Sequence, residues 1–376
     1  MSLIYKRVIR VNIRWTADDG RAHLYARARN DRPPRRGRTP RRAPKNAMPM
    51  DLPPRCVAYD DTRTACVMGD ADGDVVFRER VEVAASTVGE RNQTAASRER
   101  SAGAAWTRSC AARSPDGSAV IAVALADASH GRVCASASAS GEIAFWRASA
   151  TAAGESRLET LGAVRVEGGA RATSIAFAPA PWTTLTLAAA CEDGVIRFYE
   201  PRERSTATSW EATREYESAK PFGECTAVAW RRASERVGLV DFPVVAVATS
   251  WSKEARHSVS VLAYEETLGR WRVVAELEDG LTTSVRHLAW SATITARGAL
   301  NLVAASGSKC FVYEFEGVTT SGAGKSTELG RLNHSCEVNS AEWNASGSVI
   351  ATAAADGAIR FWSANLKDGT WREHNV

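Results

Sequence analysis

Residues 338–363, which read VNSAEWNASGSVIATAAADGAIRFWS, contain one complete unit of the pattern that decides the fold. An apolar run ends on Trp343, a run of small residues follows at 350–354, and an aromatic run at 359–362 closes the unit. The dipeptide Asp356-Gly357 stands between the last two runs, and such a pair favours a tight hairpin because it tolerates positive φ. The stretch therefore predicts short antiparallel strands in succession.

The same order of features recurs along the chain and gives six copies in all. In each copy an apolar run ends on a marker residue, and these markers are Tyr59, Leu125, Phe177, Trp230, Trp290 and Trp343. Repeated sheets that bury their faces against neighbouring copies form propellers. We therefore predict an all-β chain that folds as a six-bladed β-propeller. A β-sandwich is the alternative, but six copies in matched register argue against it.

The domain bounds follow from the positions of these copies. We predict a basic tail at 1–50, a WD-repeat propeller over 51–376 and a polar insertion at 83–105. The spacing is somewhat above the about 40–45 residues typical of WD repeats, which implies long loops between blades. The blades are expected near 56–82, 117–148, 172–201, 225–266, 285–316 and 338–371.

Positive charge is concentrated at the beginning of the chain. Residues 1–50 carry 14 Lys and Arg side chains against three Asp, a net charge of +11, so residues 51–376 hold −6 of the total of +5. Nucleic-acid-binding domains place basic and aromatic side chains together on a folded face, whereas this charge sits around the Pro/Arg-rich run 31–44. No direct nucleic-acid partner is expected.

Composition also predicts how the first 50 residues behave. The run 31–44 cannot bury enough apolar surface to fold alone, which predicts disorder. Before it, apolar and polar residues alternate over 9–15, and with the turn residues that follow they form a weak hairpin pattern. Two other interpretations stay open: an organellar transit peptide, and an extension upstream of a start at Met48 or Met50.

No motif predicts an enzyme, a metal site or a cofactor, and no apolar run reaches the about 18 residues of a membrane span. The eight cysteines contain no C-x-x-C pair, and most lie in apolar runs as small buried hydrophobes. Residues 321–327 resemble the end of a phosphate-binding loop, but Thr319 replaces the first Gly of that motif, so we predict a loop between blades. His334 lies where WD repeats often carry a structural His, and His287 lies in an apolar run.

Ring closure is open to two interpretations, because no seventh copy can be found. Either six blades close tightly, or the ring stays open between blades one and six and exposes apolar faces and strand edges. Such surfaces are normally covered, and the natural cover is a set of strands from a partner. The residues expected to bind that partner are Cys56, Val57, Ala58 and Tyr59 of blade one and Ile359, Arg360, Phe361 and Trp362 of blade six.

Two of the copies carry a family resemblance. Residues 173–179 and 192–200 resemble the third repeat of the Seh-type nucleoporins, and residues 338–344 and 356–365 resemble the sixth. The resemblance extends over about 51–376 and is weaker in blades one and two. The Sec-type propeller of the COPII vesicle coat is a close relative of that family.

The resemblance implies an open six-bladed propeller in the Y-shaped scaffold of the nuclear pore. There, a helical-solenoid nucleoporin donates a seventh blade, other Y-complex subunits are partners, and the assembly supports transport of protein and mRNA across the nuclear envelope. In many eukaryotes the family also belongs to an amino-acid-responsive complex at the lysosome or vacuole. The alternatives are another WD-repeat adaptor, such as a COPII-type coat subunit or a ubiquitin-ligase substrate receptor, and a nucleotide-binding protein that uses the loop of Lys325.

Overall fold

The computed structural model describes most of the chain from Arg55 onward. The tail expected at 1–50 and the insertion expected at 83–105 lie outside the described residues. The described ranges are 55–60, 64–80, 106–150, 156–180, 185–217, 223–232, 242–251, 256–277, 280–295, 298–320, 325–365 and 368–374.

Within these ranges the strands form six four-stranded antiparallel sheets, which confirms the predicted six-bladed propeller. Blades one to three contain β1 (Cys56–Tyr59), β2 (Ala65–Gly69), β3 (Asp74–Arg80) and β4 (Trp106–Arg113); β5 (Val120–Leu125), β6 (Val133–Ser138), β7 (Glu142–Ala150) and β8 (Ser156–Arg165); and β9 (Ala172–Phe177), β10 (Leu187–Cys191), β11 (Val195–Glu203) and β12 (Thr208–Glu217).

Blades four to six follow in the same order. They contain β13 (Gly223–Trp230), β14 (Val244–Trp251), β15 (Arg256–Glu265) and β16 (Arg270–Leu277); β17 (Val285–Ile294), β18 (Leu300–Ser306), β19 (Lys309–Glu316) and β20 (Lys325–Asn333); and β21 (Val338–Trp343), β22 (Val349–Ala354), β23 (Ile359–Ala364) and β24 (Trp371–His374). The helical elements of the described residues are two short 3-10 turns, at Ala128–His130 and Glu167–Gly169. Neither these nor any other helix there is long and apolar enough to cross a bilayer.

Each sheet is a meander in which consecutive strands pair. In the first five blades the fourth strand lies beyond the bounds expected from the sequence. The reason is visible in β8, where Leu158 alone is buried and the other side chains are exposed or half-buried. An outer strand of this kind has no continuous apolar signal in the sequence.

The second strand of each blade consists largely of small and β-branched residues and is almost wholly buried. Every residue of β6, VCASAS, and of β10, LAAAC, is buried. Small side chains let neighbouring sheets approach closely, so each sheet covers the face of the next. Among the described residues, five large hydrophobic clusters each join two consecutive blades.

Tryptophan markers add a directed hydrogen bond to three of these contacts. Nε1 of Trp230 donates to the carbonyl oxygen of Ala176 at 3.0 Å, which links blade four to the inner strand of blade three. The same bond recurs in blades five and six, where Nε1 of Trp290 donates to the carbonyl oxygen of Ala229 and Nε1 of Trp343 donates to that of Ala289, both at 3.1 Å. Each acceptor lies in the innermost strand of the preceding blade. The indole therefore fixes the register between sheets while its ring fills the space between them.

Replacement of a buried alanine in a second strand is expected to destabilise the propeller. Ala135 of β6 is fully buried in the cluster between blades two and three. Ala135→Leu adds three carbon atoms where the sheets are in contact, so we expect the free energy of unfolding in urea to fall by about 1–3 kcal/mol. Ala212→Leu, at an exposed position of β12, is the matched control and should change it by less than about 0.5 kcal/mol.

Candidate partner-binding site

The six blades surround a central cavity of about 840 Å³. All six marker residues line it, one from each blade: Tyr59, Leu125, Phe177, Trp230, Trp290 and Trp343. The apolar runs that end on these markers are therefore the innermost strands of the ring. Because the same cavity contacts the first blade and the last, blades one and six are neighbours around the axis.

The contact between blades one and six differs from the other five. The innermost strands pack in an unbroken series from β1 to β5, β9, β13, β17 and β21. In each of these five contacts the second strand of one blade also packs against the innermost strand of the next. Neither β21 nor β22 packs extensively against β1. The described blades thus leave a gap between blade six and blade one.

Blade one presents a small apolar face to this gap. Cys66, Met68 and Val76 form a separate hydrophobic cluster with half-buried Val57, and all four residues lie in blade one. Tyr59 pairs with Cys66 in the strand register, so it lies on the same face, and it is 36% exposed. The opposite face, which includes Cys56 and Ala58, packs against blade two.

Blade six presents a second apolar face, on the side away from blade five. Ala351 pairs with Phe361 and Ala353 pairs with Ile359, so these four side chains share one face of the sheet. Ala351 and Ala353 are fully buried, Phe361 is nearly so, and Ile359 is half-buried. The central residues of both end faces are therefore buried, whereas Tyr59 and Ile359 at their margins are more exposed.

Strand alternation divides the eight residues expected to bind a partner. Four of them lie on the faces at the gap: Val57, Tyr59, Ile359 and Phe361. Three others do not, because Cys56 and Ala58 pack against blade two and Trp362 packs against blade five. Arg360 shares the Trp362 side and forms an ion pair with Asp356 at 2.6 Å. Successive side chains in a strand point to opposite faces, so a continuous run cannot face one gap. The expected set omits five residues that also lie on the faces at the gap: Cys66, Met68, Val76, Ala351 and Ala353.

A histidine fixes the closing strand of blade six against blade five. Nε2 of His334 lies 2.8 Å from Oγ1 of Thr352, and Nε1 of Trp362 donates to the same oxygen at 3.0 Å. The His334 and Trp362 rings lie 5.2 Å apart. This contact supports the structural role expected for His334. It also holds β23, which carries Ile359 and Phe361, in position at the gap.

The other polar groups singled out in the sequence lie apart from one another wherever the structure describes them. Lys325 is the exposed first residue of β20, and 321–324 lie outside the described residues. Nε2 of His287 lies 3.7 Å from an oxygen of Glu342 on the neighbouring blade, beside the cavity. Asp356 of the turn before β23 accepts a hydrogen bond from the Ala358 amide at 2.9 Å, which is turn chemistry. Across the described residues, no three His, Cys, Asp or Glu side chains are grouped to hold a metal ion.

Known proteins match this chain at the level of both sequence and fold. The family model of the WD domain, G-beta repeat, matches residues 326–363. Nucleoporin SEH1 of Homo sapiens is 27% identical over 207 residues, which cover 53% of this chain and 55% of that protein. Protein SEH1 of Arabidopsis thaliana is 25% identical over 209 residues, covering 50% of this chain and 60% of that protein. The chain therefore spans about half the length of the curated relatives it matches.

Solved structures with little sequence identity share the propeller fold. The RRP9 WD40 repeats superpose with a TM-score of 0.53 at 12% identity, covering 87% of this chain and 81% of that one. A chain of the mitotic checkpoint complex superposes with a TM-score of 0.52 at 15% identity, covering 82% and 73%. Likeness at this level of identity establishes the architecture alone.

Low pH is expected to lower the stability of the propeller through protonation of His334 at blade six. Burial, with a smaller contribution from the Arg360 cation, lowers the pKa of His334 below its ordinary value. The unfolded state therefore binds a proton more readily, and the stability that the neutral ring contributes is present above about pH 6.5 and is lost as pH falls below it. His334→Gln should flatten the dependence of the unfolding free energy on pH between about 7.5 and 5.

The control for this substitution is His374→Gln, at an exposed position of β24. Urea unfolding of both variants and of the unaltered protein at the two pH values measures the effect. An unchanged pH dependence in His334→Gln would show that the half-buried ring does not titrate with folding.

Proposed function

We propose that this six-bladed WD-repeat propeller, which resembles the Seh1 nucleoporins, is a structural scaffold subunit of the nuclear pore complex. Its partner is a helical-solenoid nucleoporin that adds a blade between blades one and six, within the Y-shaped assembly at the nuclear envelope. In that position it supports the transport of protein and mRNA by binding and not by catalysis. The observation that carries the proposal is the gap, which lies between two apolar faces.

The chemistry of the gap favours a strand-bearing partner. The face of blade one contains Val57, Met68 and Val76, and the face of blade six contains Ala351 and Phe361. Each of the five other contacts between blades is a sheet packed on a sheet through residues of the same kind. A donated blade could repeat that packing twice, once on each side. Side-chain burial of this kind contributes about 25 cal/mol per Å² of apolar surface.

Addition of a carboxylate to the gap is expected to weaken partner binding. Ile359 is half-buried on the blade-six face, so Ile359→Glu would bury an unpaired charge in the complex. We expect the dissociation constant for the helical nucleoporin to rise at least about tenfold, which corresponds to about 1.4 kcal/mol. Leu268→Glu introduces the same charge at a side chain that is 55% exposed in blade four, and it should leave binding unchanged.

The measurement is a titration of purified full-length chain with the helical nucleoporin, accompanied by thermal unfolding of each variant. Equal affinities for Ile359→Glu, Leu268→Glu and the unaltered protein would remove the gap from the proposed function. Co-purification from cell extract with COPII coat or ubiquitin-ligase subunits, and without nucleoporins, would instead assign the chain to another class of WD-repeat adaptor.

A further inference from the structure

The central cavity extends along the innermost strands from their beginnings to their ends. Its wide chamber is lined by marker residues at the ends of these strands, such as Phe177 and Trp290. A narrower part of about 300 Å³ is lined by residues near their beginnings, such as Thr173 and Arg286. The two parts share wall residues from all six blades, so they form one passage: Tyr59, Val123, Ile175, Val228, His287 and Glu342.

The dimensions and the apolar wall of this passage suit a linear ligand. The six-residue strand β9 spans about 20 Å, which is also the length of six residues of an extended peptide. Blades one to four contribute uncharged strand residues to the shared wall, among them Ala58, Val123, Ile175 and Val228. Apolar side chains of a ligand would therefore be favoured along most of the wall.

Blades five and six give the passage a different wall. His287 of β17 and Glu342 of β21 line both parts of the cavity. Nε2 of His287 lies 3.7 Å from Oε1 of Glu342, which exceeds the distance of a hydrogen bond. The side chain of Glu342 is 48% exposed. A carboxylate thus faces a passage that is apolar on its opposite side.

The cations of the lining have acidic neighbours of their own. Arg286 pairs with Glu337 at 2.7 Å. Burial alone would raise the pKa of Asp127, but hydrogen bonds from Ser129 and the nearby Arg232 cation lower it below its ordinary value. These contacts connect Arg286 and Arg232 to carboxylates other than Glu342.

The net charge of the lining is negative. Its carboxylates belong to Asp60, Asp127 and Glu342, and its guanidinium groups belong to Arg232 and Arg286, which gives 2 − 3 = −1. An enclosed acidic site concentrates cations, because low-dielectric walls focus its field. The charge of the cavity is therefore complementary to a single basic group.

We propose that the central cavity binds an extended peptide segment of a partner, in which one Arg or Lys side chain pairs with Glu342. Apolar side chains beside that basic residue contact the wall of blades one to four. A charged hydrogen bond of this kind contributes more than a neutral one, and Glu342 therefore sets the preference for a basic residue. The site rests on the cavity and its charge, and not on the proposed function.

The test uses four pools of capped five-residue peptides. The flanking positions are random mixtures of alanine, valine and leucine, and the central residue is arginine, lysine, glutamine or glutamate. Each pool is passed over the immobilised full-length chain, and retained peptide is measured by mass spectrometry. We expect the arginine and lysine pools to be retained at least about tenfold more than the other two.

Substitutions at Glu342 separate a direct contact from a structural role. Glu342→Gln removes the charge at nearly constant shape and should abolish the preference for basic peptides. Glu342→Lys reverses the charge and should favour the glutamate pool instead, which a structural role would not produce. Glu373→Gln removes the same charge at an exposed position of β24 in the same blade, and it should leave retention unchanged. Thermal unfolding of each variant checks that it is folded.

Three results would overturn the proposal. The first is equal retention of the four pools by the unaltered chain, and the second is a preference for basic peptides that persists in Glu342→Gln. The third is retention of hexylguanidine, passed over the same column, as strongly as the arginine pool, which would mean that the ligand is a small organic cation and not a peptide. Because no nucleoporin is present, these results are independent of the titration at the gap.

Discussion

Close packing of one sheet face on another is the interaction on which this propeller depends. A four-stranded sheet of Ala, Val, Ser and Cys has no helix or second layer of its own to cover it, so its apolar surface is buried only by the blades on either side. The strands β6, β10 and β14 are buried on both faces for this reason. Six such sheets in a row form five contacts and leave two faces, one at each end.

Aromatic residues reinforce these contacts toward the outside of the ring. Phe145 of β7 stacks on Trp210 of β12 with ring centroids 3.8 Å apart, and Phe198 of β11 stacks on Trp271 of β16 at 4.5 Å. In both pairs the closing strand of one blade meets the outermost strand of the next. Small residues in the second strands and aromatic rings in the outer strands match the wedge-shaped space between radial sheets.

The same need to cover apolar sheet faces applies to the two end blades. A face of Val57, Met68 and Val76 would be unfavourable in water if it were left open, and strands from a partner would cover it. The gap is the place where the described blades do not pack on each other, and it is where we propose that another set of strands binds. In the proposed complex, completion of the ring would be coupled to assembly, because the residues at the gap would also bind the partner.

Sequence alone determined the number of blades, the order of their strands and the turns at residues such as Gly194 and Gly357, because each is a local property that repeats. Their positive φ values of 84° and 79° match the Asp-Gly pairs. Tertiary structure decided the rest. The outer strands lack an apolar pattern, so their positions could not be read from the sequence. The side chains of Cys56 and Trp362 point away from the gap because their faces of the sheet pack on the neighbouring blades.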